Sequence, residues 1–230
     1  MLRRNKKFRW INNFSLAGLN SLFVKLFVPL IVYQTALSHS SEQQGLFYLL
    51  HLPTSIAFLL SILVLDLTVY WQHRIFHRIS MLWKIHRVHH ADQDIDISTG
   101  VRFHPIEIII SLWVKVAVVM LLGISPLAFI TFEVILSSSA IFTHCNVQLN
   151  TKYDRWLKYF IVTPNMHRIH HSKNTNHSNC NFGFFLSVWD RLFGSYIELP
   201  NQDFQVGTEE FDSKREIWLD KLLSQPFRRK

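Results

Sequence analysis

Long apolar stretches constrain the fold of this chain more than any other feature of its sequence. Residues 10–41 carry one formal charge, Lys25, residues 43–65 carry none, and a further apolar stretch covers residues 108–143. A helix needs about 20 apolar residues to cross the hydrocarbon core of a bilayer, and each stretch meets that length. We therefore predict an all-α, multi-pass integral membrane protein instead of a water-soluble domain with several buried helices.

The stretch over residues 108–143 is too long for one crossing, and only Lys115 and Glu133 interrupt it. Near its middle lies the sequence GISP, at residues 123–126, which is typical of a turn between helices. We predict a helical hairpin over residues 105–143, which gives about four transmembrane or re-entrant helices in all. No small-residue cleavage site follows the first stretch, so we do not expect a secretory signal peptide there.

The distribution of lysine and arginine predicts the orientation of these helices. The connection over residues 34–45 and the 123–126 turn contain neither, whereas basic residues crowd residues 73–102, 152–191 and the C-terminal tail. Because cytoplasmic segments carry the excess of Lys and Arg, we expect those regions and the N-terminus to share the cytoplasmic face. The net charge of +8 then reflects orientation and attraction to anionic headgroups, and we expect no nucleic acid partner. The N-terminal basic cluster consists of Arg3, Arg4, Lys6, Lys7 and Arg9.

Thirteen histidines among 230 residues are unusual, and eight of them fall into three short motifs. The first motif has the form HxxxH, and the second and third have the form HxxHH. Residues three and four apart lie on one helix face, so each motif offers a metal two or three imidazole nitrogens without bending the helix. The motifs begin where the second apolar stretch ends and resume after the hairpin returns, so we expect them to form one histidine-rich helical cap on the cytoplasmic face. They contain His73, His77, His86, His89, His90, His167, His170 and His171.

Eight imidazoles exceed what one structural zinc ion requires, since such sites are four-coordinate and usually rich in cysteine. The chain has only Cys145 and Cys180, which form neither a disulfide framework nor a CxxC motif. The number of imidazoles instead favours two metal ions that share a cluster and keep open coordination positions. The HxxxH motif alone fits a helix end at the membrane interface equally well, whereas three motifs on one face favour a metal site.

Three further histidines are additional candidates for metal binding. His144 ends the hairpin and faces the expected cluster, His104 opens the hairpin at the same level, and His177 lies in a polar loop after the third motif. A structural role at the helix entry competes for His104. We expect His39 and His51, on or near the opposite side of the membrane, to be uninvolved.

Six segments between residues 65 and 196 carry a family resemblance, and they read LDLTVYWQHRIFH, LWKIHRVHHAD, STGVRFHPIE, FTHCNV, VTPNMHRIHHS and NFGFFLSVWDRLFGSY. In this order they resemble the fatty acid hydroxylase/sterol desaturase superfamily of membrane di-iron oxidoreductases. The resemblance implies that the eight motif histidines bind two iron ions, and that His144 corresponds to an additional histidine common in the family. It also implies oxygen as co-substrate and hydroxylation or desaturation of a membrane lipid, either a sterol, a fatty acyl chain or a related compound.

The same resemblance implies roles for recurrent polar positions. Such groups orient the ligand imidazoles by hydrogen bonds, although Asp190 also fits a capping or ion-pair role in the short WDRLFG helix. The positions are Asp66, Glu107, Asn146, Asn181 and Asp190.

The chain also differs from longer members of the superfamily. It has no fused cytochrome b5-like domain and no GxGxxG or GxxxxGKS/T motif, so we expect electrons from a separate donor of cytochrome b5, ferredoxin or flavoprotein type. We expect an N-terminal helix of some longer members to be missing. The first motif has three residues between its histidines, whereas some fatty acid 2-hydroxylases have four, which disfavours that activity.

We predict a single domain over residues 1–230. It comprises two spans in 10–72, the first two motifs in 73–104, the hairpin in 105–143, the third motif with the WDRLFG cap in 144–200, and a cytoplasmic tail in 201–230. In the tail, the sequence SKRE at residues 213–216 fits a capping box that opens a helix ending at Pro226.

Two other classes of membrane protein compete with an oxidoreductase. A histidine-rich metal transporter or metal-binding protein places its ligands near the bilayer midplane, where this chain offers only Asp66, Glu133 and His51. A bis-histidine haem protein needs facing histidines inside the spans, and the motifs lie outside them. The sequence leaves open the oligomeric state and the choice between hydroxylation and desaturation.

Overall fold

The computed structural model describes residues 6–27, 34, 35, 37, 38, 41–199 and 205–228. Within these residues the chain is helical, and its only β contacts are two isolated bridges, Ile161 to Leu186 and Ser172 to Val206. The predicted all-α class is therefore confirmed. His39 lies outside the described residues.

Eleven α-helices have defined bounds within the described residues. They are α1 (Lys6–Phe27), α2 (Leu46–Leu49), α3 (Thr54–Arg78), α4 (Ser80–His90), α5 (Pro105–Leu122), α6 (Pro126–His144), α7 (Thr151–Leu157), α8 (Pro164–His170), α9 (Thr175–Ser178), α10 (Val188–Leu192) and α11 (Leu219–Ser224). Single 3₁₀ turns occupy Thr99–Val101, Lys214–Ile217 and Gln225–Phe227.

Helices α3, α5 and α6 are each long and apolar enough to cross a membrane. Helix α3 packs against both α5 and α6, and Leu65, Val119 and Phe132 are fully buried in their shared core. Their outer faces expose large apolar side chains such as Trp113 and Val134, as expected where hydrocarbon replaces water. These three helices are the candidate membrane spans of the fold.

The fourth predicted crossing, over residues 10–41, is not among these three helices. Its first part belongs to α1, and residues 28–33, 36, 39 and 40 lie outside the described chain. The described part of α1 buries polar side chains, including Arg9, Asn13 and Asn20. A fourth crossing therefore stays a prediction.

A tight turn joins α5 to α6 at the end of the molecule that is remote from the motifs. Gly123 ends α5 in the left-handed conformation (φ 73°), and the Ser125 hydroxyl accepts a hydrogen bond from the Ala128 amide at the start of α6. A Cβ atom on Gly123 would collide with the carbonyl oxygen of Gln44. Only glycine meets both requirements, so this turn and the segment before α2 pack directly together.

At the opposite end, α1, α4 and the C-terminal segment close over the histidine motifs. Leu16, Val88 and Leu222 are fully buried against one another. The Arg9 guanidinium donates to both carboxylate oxygens of Asp92, at 2.7 and 2.8 Å. Burial opposes the ionisation of Asp92, but Arg102 and Arg9 hold its pKa at about 2. The N-terminal helix is thus fastened to the segment that follows the second motif.

The predicted capping box at residues 213–216 is wrong. Ser213 makes no side-chain capping bond, and Trp218 is extended (φ −77°, ψ 147°), so a 3₁₀ turn and the separate helix α11 replace one continuous helix. The carboxylate of Glu216 instead forms an ion pair with Arg228. The described part of the C-terminal tail packs on the cap, because the Arg87 guanidinium donates to the carbonyl of Gln225 at 2.8 Å.

Candidate metal centre

The structure brings nine histidines together in two adjacent groups. Within each group, the nitrogen atoms that could serve as ligands all lie within 4.8 Å of one another. We call His73, His77, His86, His90 and His170 the first cluster, and His89, His144, His167 and His171 the second cluster.

Four helices supply these side chains. The last two turns of α3 carry the HxxxH motif, α4 carries the second motif, and α8 with its C-terminal residue carries the third. His144 is the last residue of α6. The C-terminal ends of α3 and α6 therefore meet α4 and α8 around one group of imidazoles.

In the first cluster, ring nitrogens from α3 and α4 face each other in pairs. The Nε2 atoms of His73 and His86 lie 3.1 Å apart, and those of His77 and His90 also lie 3.1 Å apart. The Nε2 atom of His170 is buried and has no hydrogen-bond partner within the described chain. Its ring centroid lies 4.6 Å from that of His77, so its free lone pair belongs to the same group.

The second cluster is built around His144. The Nε2 atom of His144 lies 3.0 Å from that of His167 and 3.2 Å from those of His89 and His171. The two clusters are neighbours, because the rings of His90 and His171 stack with centroids 4.5 Å apart and planes 18° apart. The arrangement is one centre with two halves.

Hydrogen bonds at the other ring nitrogen fix several of these imidazoles. Nδ1 of His73 donates to the Phe182 carbonyl at 2.7 Å, and Nδ1 of His170 donates to the Cys180 carbonyl at 2.8 Å. Nδ1 of His144 donates to the carbonyl of Ala140 at 2.7 Å, Nδ1 of His86 to Glu107 at 2.7 Å, and Nδ1 of His89 to the carbonyl of Arg102 at 3.3 Å. A donor at Nδ1 leaves the Nε2 lone pair directed into the cluster.

Burial keeps the imidazoles in the form that a metal ion requires. Burial, assisted by the neighbouring imidazoles, lowers the pKa of His89, His90, His167 and His171 well below the ordinary value. It lowers the pKa of His170 to about 3. These rings are therefore neutral at physiological pH, and a histidine binds a metal ion as neutral imidazole.

The nitrogen separations fit metal coordination. Two imidazole nitrogens that bind the same ion, each at about 2.0–2.1 Å, lie roughly 3 Å apart. The paired Nε2 atoms of the two clusters are separated by 3.0–3.2 Å. Imidazole suits iron, zinc, copper and nickel. The donor set of each cluster is thus suited to hold one transition-metal ion.

Among the predicted orienting residues, Glu107 contacts a cluster histidine directly, through its hydrogen bond to His86. Asp190 acts one step further away. Its carboxylate accepts hydrogen bonds from the backbone amides of Phe182 and Gly183, at 2.7 and 2.8 Å, and so holds the segment whose carbonyl binds His73.

The other three predicted polar residues bind neighbouring segments of the cap. Asn181 has a left-handed backbone (φ 56°), and its amide nitrogen donates to the carbonyl of Met166 at 3.1 Å. Asp66 accepts from the Trp189 indole at 2.8 Å. Asn146 accepts from Arg168 at 3.4 Å.

Two candidate ligands lie outside both clusters. His104 caps α5, since its Nδ1 accepts from the Ile106 amide at 3.2 Å and its Nε2 donates to the Leu223 carbonyl at 3.1 Å. Both nitrogens of His104 are thereby occupied, which is the helix-entry role that competes with metal binding. His177 lies in α9. His51 lies beyond α2, on the side of the 123–126 turn.

A cavity of about 330 Å³ adjoins the first cluster between α3, α5 and α6. His73 and His86 line one end, and apolar side chains such as Val69, Leu112 and Leu136 line its walls. The cavity therefore joins the first cluster to the space between the three candidate membrane spans.

Sequence reasoning missed the backbone part of the centre. The carbonyls that fix His73, His144 and His170 belong to Phe182, Ala140 and Cys180, and a carbonyl has no sequence signal. The sequence analysis also did not identify Lys115 and Glu133 as cavity residues. Two charges inside an apolar stretch could have indicated a functional position, because ionisable residues within membrane spans are costly.

Comparison with known proteins identifies lipid-oxidising relatives. The chain is 29% identical over 200 residues to ornithine lipid hydroxylase OlsE of Rhizobium tropici, covering 86% of this chain and 57% of the relative. It is 29% identical over 195 residues to alkylglycerol monooxygenase of Danio rerio, covering 79% and 40% respectively. Human cholesterol 25-hydroxylase is 25% identical over 141 residues, covering 60% and 50%. The chain thus spans about half the length of these relatives, and no solved structure matches it.

The sequence model of the family described as fatty acid hydroxylase matches residues 58–195. This match is more than half of the chain, and it contains all nine histidines of the two clusters, the residues that orient them and the hairpin that encloses the cavity. The chain therefore belongs to the fatty acid hydroxylase family.

Proposed function

We propose that this protein is a membrane-bound, oxygen-dependent lipid monooxygenase that holds one iron ion in each histidine cluster. The observation that carries the proposal is the pairing of two all-imidazole clusters with a cavity that runs between membrane-embedded helices. The similarity to ornithine lipid hydroxylase and alkylglycerol monooxygenase supports hydroxylation.

The nine cluster histidines would hold the iron ions, which would supply activation of O2. One oxygen atom would enter a C–H bond of the lipid and the other would leave as water. A reductant would supply the two electrons and two protons that this reaction needs. Iron is the favoured ion because imidazole ligands with open positions suit oxygen activation. The protein positions, encloses and tunes this chemistry.

The chain's own residues perform three tasks in this proposal. His73 and His86 place the first cluster at the end of the cavity, beside the lipid. The carboxylate of Glu107 accepts a hydrogen bond from Nδ1 of His86 and would place negative charge beside the bound metal ion. Phe103 stacks on His89 at 4.4 Å and 9°, which helps to exclude water from the second cluster.

The lipid substrate would enter from the bilayer between α5, α6 and α3, and the catalytic face would be cytoplasmic. Electrons would come from a separate donor of cytochrome b5, ferredoxin or flavoprotein type, docking on the cap. The basic tail and the loops around the motifs, which carry most of the positive charge outside the spans, support a cytoplasmic orientation by the positive-inside rule.

The proposal is tested by metal analysis of the full chain purified in detergent, combined with lipid analysis of cells that express it. We expect about two iron ions per chain and an oxidised lipid that is absent in cells expressing His86→Ala or His170→Ala. The matched control is His51→Ala, at the opposite end of the molecule. An iron-free wild-type protein that still oxidises lipid would overturn the proposal.

A further inference from the structure

An ion pair lies inside the membrane-embedded hairpin. Nζ of Lys115, on α5, is 2.5 Å from a carboxylate oxygen of Glu133, on α6. The Lys115 side chain is 12% exposed and that of Glu133 is 37% exposed. Ionisable residues within membrane spans are costly and usually mark a functional path. Nothing in the metal centre described above requires this pair.

The pair lies far along the helices from the metal centre. Lys115 follows Glu107 by eight residues on α5, and Glu133 precedes His144 by eleven residues on α6. At 1.5 Å per residue these separations are about 12 and 16 Å along the helix axes. The pair therefore lies well inside the span and away from the cytoplasmic cap.

The pair and the first cluster line the same cavity. His73 and His86 belong to one end, and Lys115 and Glu133 belong to the part that is deeper in the membrane. Leu112 and Leu136 lie one turn of helix closer to the clusters and give the intervening wall an apolar character. The cavity thus has the first cluster at one end, the ion pair at the other, and the apolar side chains of Leu112 and Leu136 on the wall between them.

The middle of the cavity also contains an incompletely satisfied polar group. Nε2 of Gln72 donates to the Ser111 hydroxyl at 2.5 Å, whereas the buried Oε1 of Gln72 has no hydrogen-bond partner within the described chain. Both residues line the cavity. The cavity therefore offers a buried hydrogen-bond acceptor in addition to the ion pair.

We propose that the Lys115–Glu133 pair binds the uncharged polar end of the lipid substrate, a hydroxyl group, and thereby determines which carbon lies beside the histidine clusters. This inference rests on the proposed function and names its substrate class. A hydroxyl group accepts a hydrogen bond from the Lys115 ammonium and donates one to the Glu133 carboxylate.

Charge balance selects an uncharged end group. The ion pair is already neutral, so a carboxylate or phosphate would compete with Glu133 for Lys115 and leave an excess charge in a hydrocarbon environment. A bare alkane would leave both charges with only each other. A hydroxyl adds two charge-assisted hydrogen bonds without changing the net charge of the cavity.

The test is equilibrium binding to the full chain in lipid nanodiscs, with tritiated hexadecan-1-ol as the probe and hexadecane and palmitate as competitors. We expect wild-type protein to bind the alcohol at least tenfold more tightly than the alkane, a difference of about 1.4 kcal/mol, because hydrogen bonds to charged groups stabilise the bound alcohol. Equal affinity for alcohol and alkane, or tighter binding of palmitate, would overturn the proposal without any variant.

Variants identify the residues responsible. In the double variant Lys115→Met/Glu133→Leu, both charges are removed together, because a single substitution would strand a buried charge. We expect the ratio of its affinities for alcohol and alkane to fall at least tenfold below the wild-type ratio. The reversed pair Lys115→Glu/Glu133→Lys should keep the wild-type ratio. The control is Val134→Leu, whose side chain faces outward on the same helix. If the double variant keeps the wild-type preference for the alcohol, the Lys115–Glu133 pair does not bind the hydroxyl group and serves only the structure of the hairpin.

Iron content, measured on the same samples, separates this inference from the proposed function. Binding of the alcohol requires neither metal nor oxygen. If the wild-type protein contains no iron but prefers the alcohol, the proposed function is wrong and the inferred binding site stands. If the wild-type protein contains iron and oxidises lipid, but the double variant still prefers the alcohol, only the inferred role of the ion pair is wrong.

Discussion

The Nε2 atoms of His144 and His167 lie 3.0 Å apart, although the two residues are 23 positions apart and belong to different helices. His144 lies outside the three histidine motifs, yet its Nε2 atom also lies 3.2 Å from those of His89 and His171. The end of α6 therefore completes the second cluster, which the HxxHH motifs alone would leave with three imidazoles.

This relationship predicts a selective loss of metal. We expect His144→Ala to reduce the iron content from about two ions per chain to about one, because the second cluster loses its central imidazole and the first cluster keeps all five. His104→Ala is the matched control, since His104 caps α5 with both ring nitrogens. Metal analysis of purified protein measures both, and an unchanged iron content in His144→Ala would exclude His144 as a ligand.

The hydrogen bond between Glu107 and His86 predicts a graded response. Glu107→Leu removes the acceptor for Nδ1 of His86 and should weaken iron binding about 10- to 100-fold. Glu107→Gln keeps an acceptor oxygen and should lose less. Competition with a chelator, followed by iron analysis, measures the affinity. If Leu and Gln at this position behave alike, the hydrogen bond to His86 does not orient the ligand.

A close backbone approach makes Gly100 sensitive to a single methyl group. A Cβ atom on Gly100 would lie 2.8 Å from the carbonyl oxygen of Ala140, which accepts the hydrogen bond from Nδ1 of His144. We expect Gly100→Ala to displace the end of α6 and to reduce iron in the second cluster. Gly18→Ala is the control, since a Cβ there meets nothing within 4 Å. Iron analysis and thermal unfolding of both variants check this, and equal behaviour would contradict it.

The sequence motifs predict which imidazoles share a helix, but not how they divide between the clusters. In the second motif His86 and His90 belong to the first cluster, whereas His89 belongs to the second. Adjacent residues on a helix point about 100° apart, so His89 and His90 separate to the two halves of the centre. The third motif divides in the same way, with His170 apart from His167 and His171.

The helical hairpin was predictable because local signals specify it. The GISP sequence supplies a left-handed glycine at 123 and a serine cap at 125. The contacts of the cap were not predictable, because they join residues far apart in the chain. Arg9 counted as an orientation charge in the sequence, yet it is fully buried and bound to Asp92. The partner of a basic residue depends on tertiary packing, which composition and spacing do not contain.

The orientation of the chain is itself a prediction. The segment before α2 packs against the 123–126 turn, whereas α1 begins against the cap, so the two regions should lie on opposite sides of the bilayer. Reporters inserted after Ser41 and after the C-terminus should report a non-cytoplasmic and a cytoplasmic location, respectively. Reporters on the same side would exclude a crossing between α1 and α2.

The buried contact between Arg9 and Asp92 predicts a stability effect at the N-terminal helix. Arg9→Met leaves the carboxylate of Asp92 with a weaker set of partners in a fully buried position, and losing one member of a buried ion pair costs about 3–5 kcal/mol. Lys7→Met, two residues away and exposed, removes the same charge without that contact and should be close to wild type. Thermal unfolding in detergent compares the two. Asp92 lies two residues after His90, so Arg9→Met should also weaken iron binding. An Arg9→Met variant as stable as Lys7→Met would show that α1 does not support the centre.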